Sequence, residues 1–209
     1  MELFYKLLNA LSDRVKSVKL KISVKMFLQR ISGMKNIVIG EGLILNGIPL
    51  FDVISDAKIE IGNNVTLTSR NYNYHINLHS PVKLFADRPG ALIRIGDNCR
   101  IHGSCIHAYE RIEIGKNCLI AANCNIMDSN GHDISFPDLE NRINTHGKVK
   151  PVRIGDNVWI GADSFILPGV TIGNGSVISA NSVVVSDIPE NVVAGGNPAV
   201  IIKEMNSGN

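Results

Sequence analysis

The chain is poor in rings: aromatic residues occupy 5% of its 209 positions, and Trp159 is its single tryptophan. That argues against a wide core built on aromatic packing and favours a narrow one filled by Ile and Val. Charge of one sign is also lacking. The net charge is +2, so no basic field marks a nucleic-acid binder, and no nucleic-acid partner is expected. There is no CxxC pair among the four cysteines Cys99, Cys105, Cys118 and Cys124. Each pair lies six apart, which suggests small core or near-core fillers instead of a disulfide frame or a zinc site, and no metal is expected. No apolar run approaches the length of a membrane span. The N-terminus lacks the apolar centre and cleavage site of a secretory leader. The expected location is therefore a reducing cytoplasm.

What the chain does have is a period of six. In residues 154–189 aliphatic side chains recur at Ile154, Ile160, Ile166, Ile172, Ile178 and Val184. Gly155, Gly161 and Gly173 follow three of them, and Val158, Ser164, Val170, Ser176 and Ser182 stand two positions before the next. Six matches neither the 3.6 period of a helix nor the two-residue alternation of a strand. It matches a parallel β-helix of hexapeptide repeats. Each hexapeptide then forms one side and one corner of a triangular coil of about 18 residues, stacked at the usual strand spacing of roughly 4.8 Å. Gly, Asn and Asp turn the corners, where positive φ is needed.

The remaining chain divides around this array. Residues 1–33 read as a helical segment and 34–205 as the solenoid. Leu3, Phe4, Leu7, Leu8, Leu11, Val15 and Val18 follow helical spacing, and Lys6, Arg14, Lys16, Lys19, Lys21, Lys25 and Arg30 outnumber Glu2 and Asp13. Such a helix caps the open end of a solenoid or lies on an anionic membrane surface. Ile39-Gly40 and Ile61-Gly62 open the grid, with a looser pattern between them. Residues 71–91 depart from it and contain Tyr72, Tyr74, His75, His79 and Arg88. From Ile95 the grid resumes, with a one-residue phase slip between His107 and Ile114 that predicts a bulged corner. It breaks at 127–150, a polar excursion with an Asn130-Gly131 turn and Pro137. Long polar interruptions of this kind are usually functional. Val200 to Met205 should form a short terminal strand or helix.

Particular residues now carry a resemblance. They are Gly131-His132 in the broken repeat, Val158-Trp159-Ile160-Gly161-Ala162, Leu167-Pro168-Gly169-Val170, Asp187-Ile188-Pro189 and Gly196-Asn197-Pro198-Ala199. The stretch from about 93 to 205 resembles the hexapeptide-repeat acyltransferases, closest to the maltose/galactoside O-acetyltransferases and relatives that acetylate capsular and O-antigen sugars. The resemblance implies a left-handed parallel β-helix, an exception to the usual right-handed crossover. It also implies a homotrimer with active sites between subunits, acetyl-CoA as co-substrate, and a sugar or glycan-precursor acceptor. Residues 1–90 match less well.

In that reading an acceptor hydroxyl must lose its proton as it attacks the thioester, and a neutral histidine suits the task. His132 stands at the family's catalytic position. Asp128, Asp133 or a backbone carbonyl could hold its tautomer. An N–H near Gly161-Ala162 is the expected oxyanion donor. The positions that resemble coenzyme contacts are Trp159, Gly161, Ala162, Ala180, Val185, Ser186 and Lys203. Val200 replaces an arginine of relatives, which puts one phosphate contact in doubt. His102 aligns with a polar acceptor-binding position; His107, Tyr109, Asp128 and Asn130 are further acceptor candidates. The alternatives are N-acylation of an amino sugar or of an antibiotic, a gamma-carbonic-anhydrase-like metalloenzyme using His102 and His107, and a non-catalytic scaffold.

Overall fold

The computed structural model describes residues 1–205, and for residues 2–13 and 16 it describes the backbone alone. The chain separates into two compact units, 1–35 and 36–209.

The first unit is one α-helix, Glu2–Ser32, of 31 residues. The expected apolar face from Leu3 to Leu11, with Lys6, Asp13 and Lys16, lies outside the described side chains. On the described part, Val15, Val18, Ile22 and Met26 are all exposed. No helix among the described residues is long and apolar enough to cross a membrane.

The second unit is a left-handed parallel β-helix whose three faces are three sheets. The first face stacks Ile37–Ile39, Lys58–Ile61, Leu92–Ile95, Arg111–Ile114, Val152–Ile154 and Thr171–Ile172. The second stacks Ile44–Asn46, Thr66–Thr68, Arg100–His102, Leu119–Ala122, Trp159–Ile160, Val177–Ile178 and Val192–Gly196, and ends with Ala199–Glu204. The third stacks Leu50–Val53, Lys83–Ala86, Cys105–Ala108, Asn125–Met127, Phe165–Ile166 and Val183–Val184. All neighbours pair in parallel except the last strand of the second face, Ala199–Glu204, which runs antiparallel to Val192–Gly196.

Register explains the period. Ile101 pairs with Ile120, which pairs with Ile160, which pairs with Ile178, and all four are fully buried. Each column keeps its aliphatic side chains in contact down the axis, and each such residue contributes about 1.5–3 kcal/mol of burial. The corners are equally ordered. Asn64, Asn98, Asn117 and Asn157 take φ between 55 and 59°. The Nδ2 of Asn98 donates to Asn117 Oδ1 at 3.1 Å, and that of Asn117 donates to Asn157 Oδ1 at 3.1 Å. A Cβ at Gly96 would stand 2.6 Å from the Gly115 carbonyl oxygen, so this corner requires glycine.

Three expectations need correction. Residues 83–86, assigned to the irregular stretch, form a regular strand of the third face; only the preceding residues make a side loop. The phase slip before Ile114 is an extended corner bracketed by a carboxylate, described below. Cys99, Cys118 and Cys124 fill the core as expected, but Cys105 is half-buried. Its backbone position faces outward between Lys83 and Asn125. Ser104 fills the interior position instead: it is fully buried, and its Oγ accepts from Cys124 N–H at 3.0 Å.

Candidate active site

The excursion leaves the third face after Met127 and is closed at its neck. Ser129 bridges Val149, Gly147 N–H donates to the Gly131 carbonyl at 3.0 Å, and Lys150 N–H donates to the Asp128 carbonyl at 2.8 Å. Gly131 takes φ +79°, and its N–H donates to Ser129 Oγ at 3.1 Å. This turn holds the backbone of His132, whose side chain is exposed. Gly147, which belongs to no repeat or motif, fits directly beneath it. A Cβ there would meet Gly131 N, His132 N and His132 O, each at 3.0 Å.

Neither aspartate offered as a partner for His132 is free. Asp128 is fully buried, and its carboxylate accepts the N–H groups of Tyr109, Glu110 and Arg111 at 2.7–2.8 Å. It brackets the extended corner of the adjacent coil, so its expected place among acceptor-binding residues is corrected. Asp133 Oδ1 accepts from Ser135 N–H at 2.8 Å, closing its own turn. Asn130 sits exposed at the tip.

The donor for an oxyanion is also narrowed. Gly161 N–H donates to Ile178 O at 2.8 Å and is spent on coil stacking. Its missing side chain lets the chain pass Ala180 at contact distance. The Ala162 N–H meets no acceptor among the described residues, although its carbonyl accepts from Asn181 at 2.7 Å. Trp159 stands half-exposed on the second face, between Leu119 and Val177. Lys203 pairs with Val193 on that same face. Val185 and Ser186 follow a strand of the third face and are exposed. The coenzyme candidates thus divide between two sides of the coil.

The acceptor candidates divide as well. His102 and His107 lie on the second and third faces, so their five-residue spacing does not form a shared ligand pair within the chain. Among the described residues no three metal-ligating side chains converge. His107 stacks on Phe85 with centroids 4.5 Å apart, meets Tyr109 edge-on, and approaches Asp87 Oδ2 at 3.3 Å through Nε2.

His102 has a different setting. It is 9% exposed and stacked on Tyr74. Burial, with Arg100 and His75 nearby, pushes its pKa down to about 4. It lines a hollow of about 410 Å³ with Asn46, Thr68, Arg70, Tyr72 and Arg100. The side loop closes one wall of it. Asn123 ties that loop down, accepting from His79 N–H at 3.0 Å and donating to Asn77 O at 3.0 Å. Leu78 of the loop packs with Ala122 and Ala162. The loop therefore connects the hollow to the Ala162 corner. Sequence spacing could not reveal this, because Arg70 and Tyr74 belong to no repeat.

Known proteins are similar to this chain. Residues 151–186 match the bacterial transferase hexapeptide (six repeats) model, and 92–127 match the hexapeptide repeat of succinyl-transferase. The Saccharomyces cerevisiae protein YJL218W, assigned by name to the acetyltransferases, is 40% identical over 82% of this chain and 92% of its own length. WbbJ of Escherichia coli, assigned by name to lipopolysaccharide biosynthesis as an O-acetyl transferase, is 37% identical over 64% of this chain and 72% of its own. The hexapeptide-repeat acetyltransferase VCA0836 of Vibrio cholerae, solved with acetyl coenzyme A, is 34% identical with a TM-score of 0.50, covering 55% of this chain and 61% of that one. The chain belongs to the hexapeptide-repeat acetyltransferases.

Proposed function

We propose that the protein transfers an acetyl group from acetyl-CoA to a hydroxyl of a sugar, in a capsular, O-antigen or exopolysaccharide precursor. The observation that carries this reading is the exposed His132 on a turn locked by the neck of the excursion, in a chain similar to WbbJ. His132 takes the hydroxyl proton as the acceptor oxygen attacks the thioester carbonyl carbon. The Ala162 N–H, which has no other acceptor among the described residues, receives the developing oxyanion. The C–S bond then breaks, the imidazolium returns its proton to the departing thiolate, and free CoA and the acetyl ester result. No cysteine is needed as a nucleophile.

Ala180, Val185, Ser186 and Lys203 are the positions for the coenzyme, with Trp159 as a wall. Their division between two faces suits a groove to which one subunit gives its second face and a neighbour its third. The exposed Trp159, Val200 and Ile202 support such packing in a homotrimer. The exposed stripe Val15, Val18, Ile22 and Met26, flanked by exposed Arg14, Lys19, Lys21 and Lys25, supports contact with an anionic membrane surface on the cytoplasmic side, where lipid-linked acceptors are found.

The test is thiol release from acetyl-CoA against a panel of sugars and nucleotide sugars, with His132→Ala in parallel. Acceptor-dependent release should fall by about two orders of magnitude in the variant, within the range typical of general-base loss. Release that the substitution leaves unchanged would remove His132 from the mechanism.

A further inference from the structure

We infer that the hollow over the upper coils of the second face binds an anionic group of the acceptor, a carboxylate or a phosphate carried on a sugar, with Arg70 and Arg100 as its counter-ions. The inference rests on the sugar-acyltransferase reading and narrows its substrate class.

The hollow is built for a polar guest. Its outward columns are Ile44, Thr66 and Arg100 on one side and Asn46, Thr68 and His102 on the other. Arg70 and Tyr72 to Tyr74 of the side loop complete it. Its volume of about 410 Å³ lies within the range of small-ligand sites. No Asp or Glu among the described residues lines it. Among the described residues neither guanidinium has a carboxylate partner.

Two lining groups are also left unpaired. Arg70 Nε and His102 Nδ1 are buried and make no hydrogen bond among the described residues. A buried polar atom without a partner is costly, and a ligand that supplies one recovers that cost. The two atoms ask for different things. A guanidinium presents a planar fork that matches carboxylate or phosphate oxygens. The imidazole ring nitrogen suits a hydroxyl, as donor or acceptor according to its tautomer. A sugar that carries an oxyanion offers both. The Arg70 guanidinium lies over the Tyr72 ring, 5.3 Å from its centroid, so its fork is held in place. Tyr74 adds an apolar ring face where sugar C–H groups can rest.

Position links the hollow to transfer. Arg100 pairs with Leu119, and Leu119 with Trp159, so two strand spacings, roughly 10 Å, separate the arginine from the tryptophan. A disaccharide reaches across that distance. The anionic residue would sit in the hollow while its neighbour presents a hydroxyl near Ala162.

The experiment is ligand-observed NMR titration of the full chain with three probes. They are a glucuronate-containing disaccharide, its carboxyl-reduced counterpart, and a sugar 1-phosphate; each is repeated with Arg70→Gln and Arg100→Gln and in the presence of CoA. One or both anionic probes should bind at least ten-fold more tightly than the reduced disaccharide, and which one does distinguishes carboxylate from phosphate. Each arginine variant should erase most of that preference. Equal binding of neutral and anionic probes, or a preference that survives both substitutions, overturns the inference. Displacement of the anion by CoA would assign the arginines to the donor and overturn it too. Thiol release with the same probes separates the two readings. Arginine-dependent binding without any acceptor-dependent release would fail the transferase reading and leave the anion site standing.

Discussion

The ring of Tyr74 lies on that of His102, with centroids 4.7 Å apart and planes 23° apart. The contact joins an irregular side loop to the regular column of the second face, and it shields an imidazole held neutral by burial. The pKa of His102 is about 4, against 6.5 for an ordinary histidine. Between those values the unfolded chain binds the extra proton and the folded chain refuses it, so stability falls as pH drops from about 6.5 towards 4. Urea denaturation at several pH values should show this slope, and His102→Gln should flatten it. An unchanged slope in the variant would assign acid sensitivity to other groups.

Gly147→Ala tests the seat of the excursion. The new methyl group would press on the backbone of Gly131 and His132. A displacement of a few tenths of an ångström at the proposed general base should lower kcat by about ten-fold or more. The melting temperature should barely move, since the solenoid is untouched. Full activity would mean that the loop accommodates the methyl group without moving His132.

Asp128→Ala should act on stability first. It strands three part-buried backbone donors at the corner of Tyr109 to Arg111, which the fully buried carboxylate now receives. The cost is expected to be about 3 kcal/mol, within the range for losing charge-assisted bonds to buried groups. Chemical denaturation measures it, and a loss below about 1 kcal/mol would show that water replaces the bracket.

The thiols should differ in reactivity. Cys99, Cys118 and Cys124 are buried, and their Sγ atoms point at the carbonyls of Gly115, Gly155 and Gly161 at 3.0–3.2 Å. Burial pushes the Cys124 thiol up to about 11. A thiol reagent should therefore label Cys105 first in the native protein and the other three only in denaturant. Early labelling of Cys124, read by mass spectrometry, would contradict its placement in the core.

The solenoid was legible because its inward side chains fall on a fixed period, as from Ile154 to Val184. It was less legible between Ile39 and Ile95. There the corners leading from the third to the first face hold extra residues, and strands such as Leu50–Val53 and Lys83–Ala86 shift out of phase. Cys105 was misplaced by the opposite change: five positions separate Ile101 from Ile106 where six separate their partners Ile120 and Ile126, so Cys105 falls one position beyond the interior site that Ser104 fills. His132 stood out through resemblance to a family motif. Arg70, Arg100 and Tyr74 did not, because packing of a side loop against a distant coil brings them together. Asp128 was misread for a related reason: a carboxylate beside a candidate histidine suggests a catalytic partner, and only the structure shows three backbone donors around it.

The closed neck of the excursion has an engineering consequence. Ser129–Val149, Gly147–Gly131 and Lys150–Asp128 return the chain to the solenoid beside the point where it left. The coils above and below therefore register as though nothing had been inserted. Doubling such a loop adds only about 0.6 kcal/mol of closure entropy. The segment beyond the neck behaves as an exchangeable cassette, open to grafting from other chains while the scaffold stays constant.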